Sequence, residues 1–248
     1  MIAKLENTIR KILPSPFAIA IILTIIIIVL SVLLTENNII DILTYWEEGL
    51  WNNSLMNFAM QMMLMLVLGY VLALTESSKK IIDKITPLCN SSAHAAFWVS
   101  FATILVSFFN WGLGLIFGAI LARKVGEYSL KKNIQLNYPL IGAAGYSGLM
   151  VWHGGFSGSI PLKIAEKNHL KNIITNPDVL EKLPDIGIDF SQTVFSNMNL
   201  SVSLLLIIII PLSLFYIGKK KPKGTKIEFK KTEIKKKQST LIGARTIG

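Results

Sequence analysis

Glycine-rich interruptions inside two apolar segments constrain the fold of this chain more than any other feature. The first interruption runs from Asn110 to Gly114 within the apolar segment 94–122, and two glycine clusters interrupt the segment 138–165. Backbone that leaves the helical path at bilayer depth has amide and carbonyl groups that lipid cannot satisfy. Such backbone persists only where protein buries it or where it lines an aqueous cavity, and paired breaks of this kind are typical of binding sites in membrane proteins.

The composition predicts an all-α membrane protein. Of the 248 residues, 52% are hydrophobic and 16% are charged, and the charges lie mainly between the apolar runs. Uncharged, mainly apolar runs over 17–34, 55–75 and 195–217 are each long enough to span a bilayer as a helix. We therefore expect a membrane domain over 1–217 that folds as a polytopic helical bundle.

Most of the net charge of +10 lies in one stretch of the sequence. Residues 218–237 contain ten lysines against two glutamates, which accounts for +8. A basic run beside a membrane helix sets orientation or contacts anionic lipid more often than it binds nucleic acid. The pattern predicts a basic cytoplasmic tail over 218–248, a cytoplasmic N-terminus, and a multi-pass protein of the cytoplasmic (inner) membrane that does not bind nucleic acid.

Basic residues flank the first broken segment on both sides, within 76–93 and 123–136. The positive-inside rule places both flanks in the cytoplasm, so the segment 94–122 is expected to enter and return as a re-entrant hairpin. Its second arm, from Leu113 to Ala122, is ten residues long, or about 15 Å of helix. The hairpin tip is therefore expected near the bilayer midplane.

The second broken segment is too long for one straight span. Residues 138–165 number 28, which is about 42 Å if they are helical throughout. We expect a crossing helix with an unwound middle, a new helix capped by Ser159 with Pro161 in its first turn, and an external loop over 163–194. If this segment were also a hairpin, the lysine-rich tail would lie outside the cell, which its charge disfavours.

The polar groups inside these segments suit a small anion. Asp, Glu, Lys and Arg are absent from 94–122 and from 138–162, which disfavours a proton pump or a charge-selective channel. Hydroxyls, an asparagine amide and the backbone amides of half-helix N-termini suit a small carboxylate, and unwound carbonyls suit a coupling Na⁺. The predicted substrate-binding residues are Ser107, Asn110, Gly112, Gly114, Ser147, His153, Gly154, Gly155, Ser157, Gly158 and Ser159.

Some of these residues have other interpretations. His153 faces the substrate, carries protons, or remains neutral and bonds to a nearby carbonyl, and the sequence leaves all three open. Small residues also allow helices to pack closely, and this is the interpretation we give to the isolated glycines at 69, 118 and 126.

An enzymatic interpretation centres on Ser157. Residues 155–158 fit the G-x-S-G pattern of rhomboid-like intramembrane serine proteases. Such a serine needs a histidine within hydrogen-bond reach to act as its base. In that family the histidine comes from a later membrane helix, and no histidine follows His169 in this sequence. The protease is therefore the alternative, and an enzyme is not expected.

Several stretches of the chain are similar to one known family. They are Pro14 to Phe17, Met60 to Met62, Leu68 to Tyr70, Asn110 to Gly114, Ala119 to Arg123, Tyr146 to Gly148 and Val151 to Leu162. The chain resembles the short-chain fatty acid transporters, the acetoacetate/butyrate permeases of the ion transporter superfamily. The resemblance implies two inverted repeats, each with a re-entrant hairpin and a broken helix.

The resemblance implies uptake of short-chain carboxylates by symport with H⁺ or Na⁺ and without another cofactor. This chain covers one hairpin and one broken helix, so we expect it to be the N-terminal half of a carrier whose second repeat half is a partner. The coupling ion, the chain length of the substrate and any homo-oligomer stay open.

The charge pattern predicts which positions are accessible from outside the cell. In a Cys89-free background, single cysteines within 36–50 and 175–190 should react with an impermeant maleimide, and cysteines within 79–84 and 123–132 should not, because basic loops remain in the cytoplasm. External labelling at 79–84 together with protection at 123–132 would show a full crossing and exclude the hairpin.

Overall fold

The computed structural model describes residues 14–167, 169–174, 177–183 and 187–222. The helices are α1 (Pro16–Leu34), α2 (Ile39–Leu50), α3 (Asn53–Ala73), α4 (Glu76–Ile85), α5 (Ser92–Phe109), α6 (Trp111–Lys131), α7 (Tyr138–Tyr146), α8 (Ser159–Ala165), α9 (His169–Ile173), α10 (Pro177–Leu180) and α11 (Asn197–Lys220). Short 3₁₀ helices cover Thr86–Leu88, Ser147–Gly154 and Phe190–Gln192. No strand occurs in these ranges.

Within the described residues, four helices are long and apolar enough to cross a membrane: α1, α3, α5 and α11. This confirms the predicted all-α polytopic membrane protein. The internal contacts divide the chain into a first unit, 1–65, and a second unit, 66–248. In the first unit, α1 starts at Pro16 because the Ser15 side chain accepts a hydrogen bond from the Ala18 amide at 3.3 Å, which satisfies one of the otherwise unpaired amides of the first turn.

In the second unit, α5 and α6 form an antiparallel hairpin that breaks at Asn110. The Asn110 backbone is extended, with φ −147° and ψ 116°. Gly114 of α6 lies against Ser107 of α5, and Gly118 lies against Thr103, so the two arms run back along each other from the tip.

The second arm is longer than expected. Helix α6 has 21 residues, about 31 Å, rather than the ten that were predicted. The helix continues past the apolar stretch because the polar residues that follow are good helix formers and because Arg123 and Glu127, one turn apart, form an ion pair at 3.0 Å. The depth of the tip in a bilayer therefore stays a prediction.

The second broken segment consists of α7, a 3₁₀ turn and α8 in succession, with a break at 155–158. The predicted cap of α8 is wrong by one residue. Gly158 occupies the N-cap position without a side-chain hydrogen bond, and Ser159 is already the first helical residue. The basic flank 76–93, which we expected to be a loop, is helical in part, because Thr75 accepts a hydrogen bond from the Ser78 amide and α4 follows.

The starts of α5 and α7 and the end of α11 lie together at one end of the second unit. Gly218 packs against the Ala93 backbone. The Ser92 hydroxyl donates to the Pro222 carbonyl at 2.5 Å and accepts from the Asn137 amide at 2.7 Å. Lys131 in the last turn of α6 and Lys219 and Lys220 in the last turn of α11 lie at this same end, which we call the basic end. The predicted tail over 218–248 lies outside the described residues beyond 222.

The core of the second unit lies between the hairpin and α7. Val99, Phe117, Leu121, Val125 and Ile141 are each 0 or 1% exposed. Close packing of these side chains holds α7 against the two arms of the hairpin in this conformation.

Cys89, in the short link between α4 and α5, is fully buried, and its thiol donates to the Ile85 carbonyl at 3.6 Å. Burial raises the pKa of the thiol to about 12. The reactive species is the thiolate, so N-ethylmaleimide should leave Cys89 unmodified in the folded protein, with little increase from pH 7.5 to 9.5, the range in which an exposed thiol ionises. Labelling should be complete in denaturant. Rapid labelling of the folded chain that rises with pH would contradict this packing.

Candidate functional site

The two breaks meet in space and satisfy each other's backbone. The Trp111 amide, at the hairpin tip, donates to the Ser157 hydroxyl at 2.9 Å, and the Phe156 amide donates to the Phe108 carbonyl at 2.9 Å. Ser157 is 6% exposed. The loop between the 3₁₀ turn and α8 is therefore joined to the turn between α5 and α6 by two hydrogen bonds, of which the bond from Trp111 to Ser157 is buried.

Asn110 organises the start of α6. Its side-chain oxygen accepts from the Leu113 amide at 2.8 Å, and its carbonyl accepts from the Gly114 amide at 2.9 Å. Several free amides were expected at this helix start. The backbone amides of Trp111, Leu113 and Gly114 already donate hydrogen bonds within the chain. The start of α6 therefore has fewer free amides for an anion than we expected from the sequence.

Aromatic rings cover the junction. The Trp111 and Trp152 rings stack with centroids 4.6 Å apart at 29°, and the Trp152 ring stacks on His153 at 4.8 Å. Phe156 lies edge-on to Phe108 with centroids 5.5 Å apart. The junction thus combines a buried main-chain hydrogen bond to Ser157 with a largely apolar rim.

Asn199 of α11 is a site residue that sequence reasoning missed. Its side-chain nitrogen donates to the Gly154 carbonyl at 2.9 Å and to the Val194 carbonyl at 2.7 Å. The available signal was a carboxamide two residues inside a helix start, in a span that is otherwise strongly apolar. An amide placed there needs partners, and the unwound carbonyl of Gly154 provides one.

Glycines allow the hairpin and the broken helix to approach closely. A Cβ on Gly118 would overlap the Gly145 carbonyl, and a Cβ on Gly148 would overlap the Ser107 hydroxyl. A Cβ on Gly69 would lie 2.5 Å from the Gly112 backbone. Close packing therefore accounts for the isolated glycines at 69 and 118 and for Gly148 of the broken segment.

The structure brings together some of the predicted site residues. Ser107, Gly155 and Ser157 lie at the contact between the hairpin and the broken segment. Asn110 and Gly114 make their contacts within the hairpin, Gly112 lies against Gly69 of α3, and Gly154 lies against Asn199 of α11. Ser147 instead donates to the Ala144 carbonyl one turn back at 2.7 Å, and His153 is exposed. Gly158 and Ser159 form the start of α8.

The geometry gives Ser157 a structural role. Its oxygen accepts a hydrogen bond from a main-chain amide that would otherwise be buried and unpaired. The ring of His153, four residues earlier, stacks on Trp152. These contacts define an all-α, polytopic membrane protein whose two helix breaks share one buried junction, and they give no support to a protease.

Comparison with known proteins identifies the family. The family model described as "Short chain fatty acid transporter" matches residues 1–245. A Haemophilus influenzae protein named as a short-chain fatty acid transporter is 32% identical over 203 residues, 82% of this chain and 43% of that protein. An Escherichia coli K12 protein with the same name is 32% identical over 199 residues, 80% of this chain and 42% of that protein. No solved structure matches.

The chain therefore belongs to the short-chain fatty acid transporter family. It spans about two-fifths of the length of the two relatives. Since these relatives are named as transporters, the chain is not expected to act as an enzyme, in agreement with the geometry of Ser157.

The glycine contacts predict a graded set of alanine substitutions. Gly118→Ala, which meets a backbone carbonyl, should destabilise the protein by about 2–3 kcal/mol through overpacking, seen as a lower midpoint of thermal unfolding in detergent. Gly142→Ala, which meets nothing within 4 Å, is the matched control and should be neutral.

The new methyl group of Gly148→Ala would overlap the Ser107 side chain rather than backbone. Adding Ser107→Ala removes the overlapping oxygen and should therefore restore part of the stability that Gly148→Ala loses. Ser107→Ala should not recover Gly118→Ala. Equal effects of Gly118→Ala and Gly142→Ala would contradict the close approach of the two elements.

Proposed function

We propose that this chain forms part of a secondary carrier that takes up short-chain fatty acids or similar small monocarboxylates across the cytoplasmic membrane. The observation that carries the proposal is the shared junction of the two helix breaks in a chain of this family. Discontinuous helices that meet inside a membrane protein form substrate sites in carriers because their backbone groups are not all used by the helices themselves.

The chemistry of the junction suits a small carboxylate with a short alkyl chain. Hydroxyl and N–H groups at the junction can donate to the carboxylate, while the phenylalanine and tryptophan rings around it accommodate the alkyl part. The described segments 94–122 and 138–162 contain no Asp, Glu, Lys or Arg side chain to act as a counter-ion. We propose that the substrate charge is compensated by symport of H⁺ or Na⁺.

The charge distribution supports an orientation. The basic end of the second unit, where α6 and α11 finish, would face the cytoplasm, and the junction would lie away from it, toward the membrane interior. The N-terminus and the tail would also be cytoplasmic. In this arrangement the segment 94–122 enters and leaves on one side as a re-entrant hairpin.

We further propose that transport needs a second repeat half. The relatives contain more sequence than this chain matches, and alternating access requires one group of helices to move against another around the site. Two identical copies in a homo-oligomer would not replace it readily, because their basic ends would both face the cytoplasm.

Uptake of labelled butyrate into proteoliposomes tests the proposal. We expect no saturable uptake with this chain alone, and saturable uptake when the part of the E. coli relative that this chain does not match is co-expressed. Imposed Na⁺ and pH gradients, applied separately, identify the coupling ion. Saturable uptake by the chain alone would contradict the need for a second half, and its absence from both preparations would contradict the carrier.

Ser157→Ala should reduce this uptake about tenfold or more, because it leaves the Trp111 amide buried without its acceptor, at about 1–3 kcal/mol. Ser201→Ala is the matched control: its hydroxyl is exposed and bonds only one turn back within α11, to Asn197. Both variants should insert with Cys89 protected. Uptake unaltered by Ser157→Ala would separate the junction from transport.

A further inference from the structure

Four buried side-chain polar atoms have no hydrogen-bond partner among the described residues. They are Thr103 Oγ1, Ser107 Oγ, Trp111 Nε1 and Trp152 Nε1. Thr103, Ser107 and Trp111 are 0, 1 and 6% exposed. A buried donor without an acceptor is destabilising, so a group of them in one place requires an explanation.

The four residues that carry these atoms follow one another from α5 to the hairpin tip, and we call this set the donor seam. Thr103 and Ser107 are one turn apart on α5, on the side that faces Gly118 and Gly114 of α6. Along the helix, Ser107 is about 6 Å further toward the tip than Thr103.

The broken segment forms the other wall of the donor seam. Gly148 lies against both Thr103 and Ser107, and the stacked pair of Trp111 and Trp152 follows at the tip. The Ser107 oxygen points into the space between two glycines, where no side chain competes for it.

The chemistry of these groups selects the class of ligand. An indole N–H donates and cannot accept, and a hydroxyl can donate as well. A metal cation would find no acceptor on the two indole nitrogens. A carboxylate has two oxygens and about four acceptor positions, and hydrogen bonds to a charged acceptor are roughly twice as strong as neutral ones.

We propose that the indole N–H groups of Trp111 and Trp152 bind the substrate carboxylate together, one to each oxygen, and that the Ser107 and Thr103 hydroxyls line its route toward the basic end. The two rings form one stacked pair with centroids 4.6 Å apart, and neither indole nitrogen has a hydrogen-bond partner in the described residues. The identity of the ligand as a short-chain carboxylate rests on the proposed transport function.

In the present conformation the donor seam is closed by the glycine contacts. Gly118 and Gly145 touch through backbone atoms without side chains that interlock. Such a contact separates without any change of rotamer, so a small displacement of the broken segment from the hairpin opens the seam to a carboxylate. Closing it again leaves the four donors unpaired, which favours the state with substrate bound.

The experiment uses the full chain in lipid nanodiscs with ¹⁵N-labelled tryptophan indoles, titrated with butyrate. Trp111→Phe and Trp152→Phe keep an aromatic ring and delete only the N–H group, and they assign the resonances. The internal control is Trp98, which lies on α5 and packs edge-on against Phe97 with centroids 5.3 Å apart.

We expect the indole protons of Trp111 and Trp152 to move downfield saturably with butyrate, with butanol and chloride giving no such movement and Trp98 remaining in place. Either Trp→Phe variant should raise the half-saturating butyrate concentration about tenfold or more, as expected for one lost hydrogen bond to a charged group. Resonances that do not move, or that move equally with chloride, would overturn the proposal.

Uptake measurements separate this inference from the transport proposal. If butyrate moves both resonances and no preparation transports it, the carboxylate site stands and the carrier is contradicted. If butyrate is transported with unchanged affinity by the variant lacking both indole N–H groups, transport stands and the indole site is overturned.

Discussion

The pairing of the two helix breaks is the interaction on which the rest of the second unit depends. At a break, main-chain groups lose their helical partners, and an unpaired amide away from water costs several kcal/mol. A neutral hydrogen bond contributes only about 1 kcal/mol net, so avoiding the unpaired state outweighs the gain from the bond itself. The bonds from Trp111 to Ser157 and from Phe156 to Phe108 satisfy this requirement.

This requirement also explains the glycines. Main-chain groups of two helices come within hydrogen-bond distance only if no side chain keeps the helices apart, and Gly118 with Gly145 provides such an approach. Similar close approaches at Gly114 and Gly148 leave Ser107 enclosed with an unpaired hydroxyl. A stable junction and a set of unused donors therefore arise from the same packing, which connects the fold to the proposed binding of a carboxylate.

The breaks could be predicted from the sequence because glycine and asparagine inside an apolar run favour a local departure from the helical backbone. The turn at Asn110 and the loop before Ser159 both occur where the pattern placed them. The sequence could not show that Ser157 caps Trp111, or that Asn199 reaches Gly154, because these contacts join positions more than forty residues apart. The length of α6 was also underestimated. The apolar run stops before Arg123, but the residues after it still favour a helix, and α6 continues to Lys131.

Disulfide cross-linking across the junction tests the central claim most directly. Phe109 and Phe156 have ring centroids 6.2 Å apart, so the pair Phe109→Cys and Phe156→Cys, with Cys89→Ala, should cross-link in high yield in native membranes under mild oxidation. Leu130→Cys, exposed near the basic end of α6, should not cross-link to Phe156→Cys. Absence of the first cross-link, or equal yields for both pairs, would contradict a fold in which the two breaks complete each other.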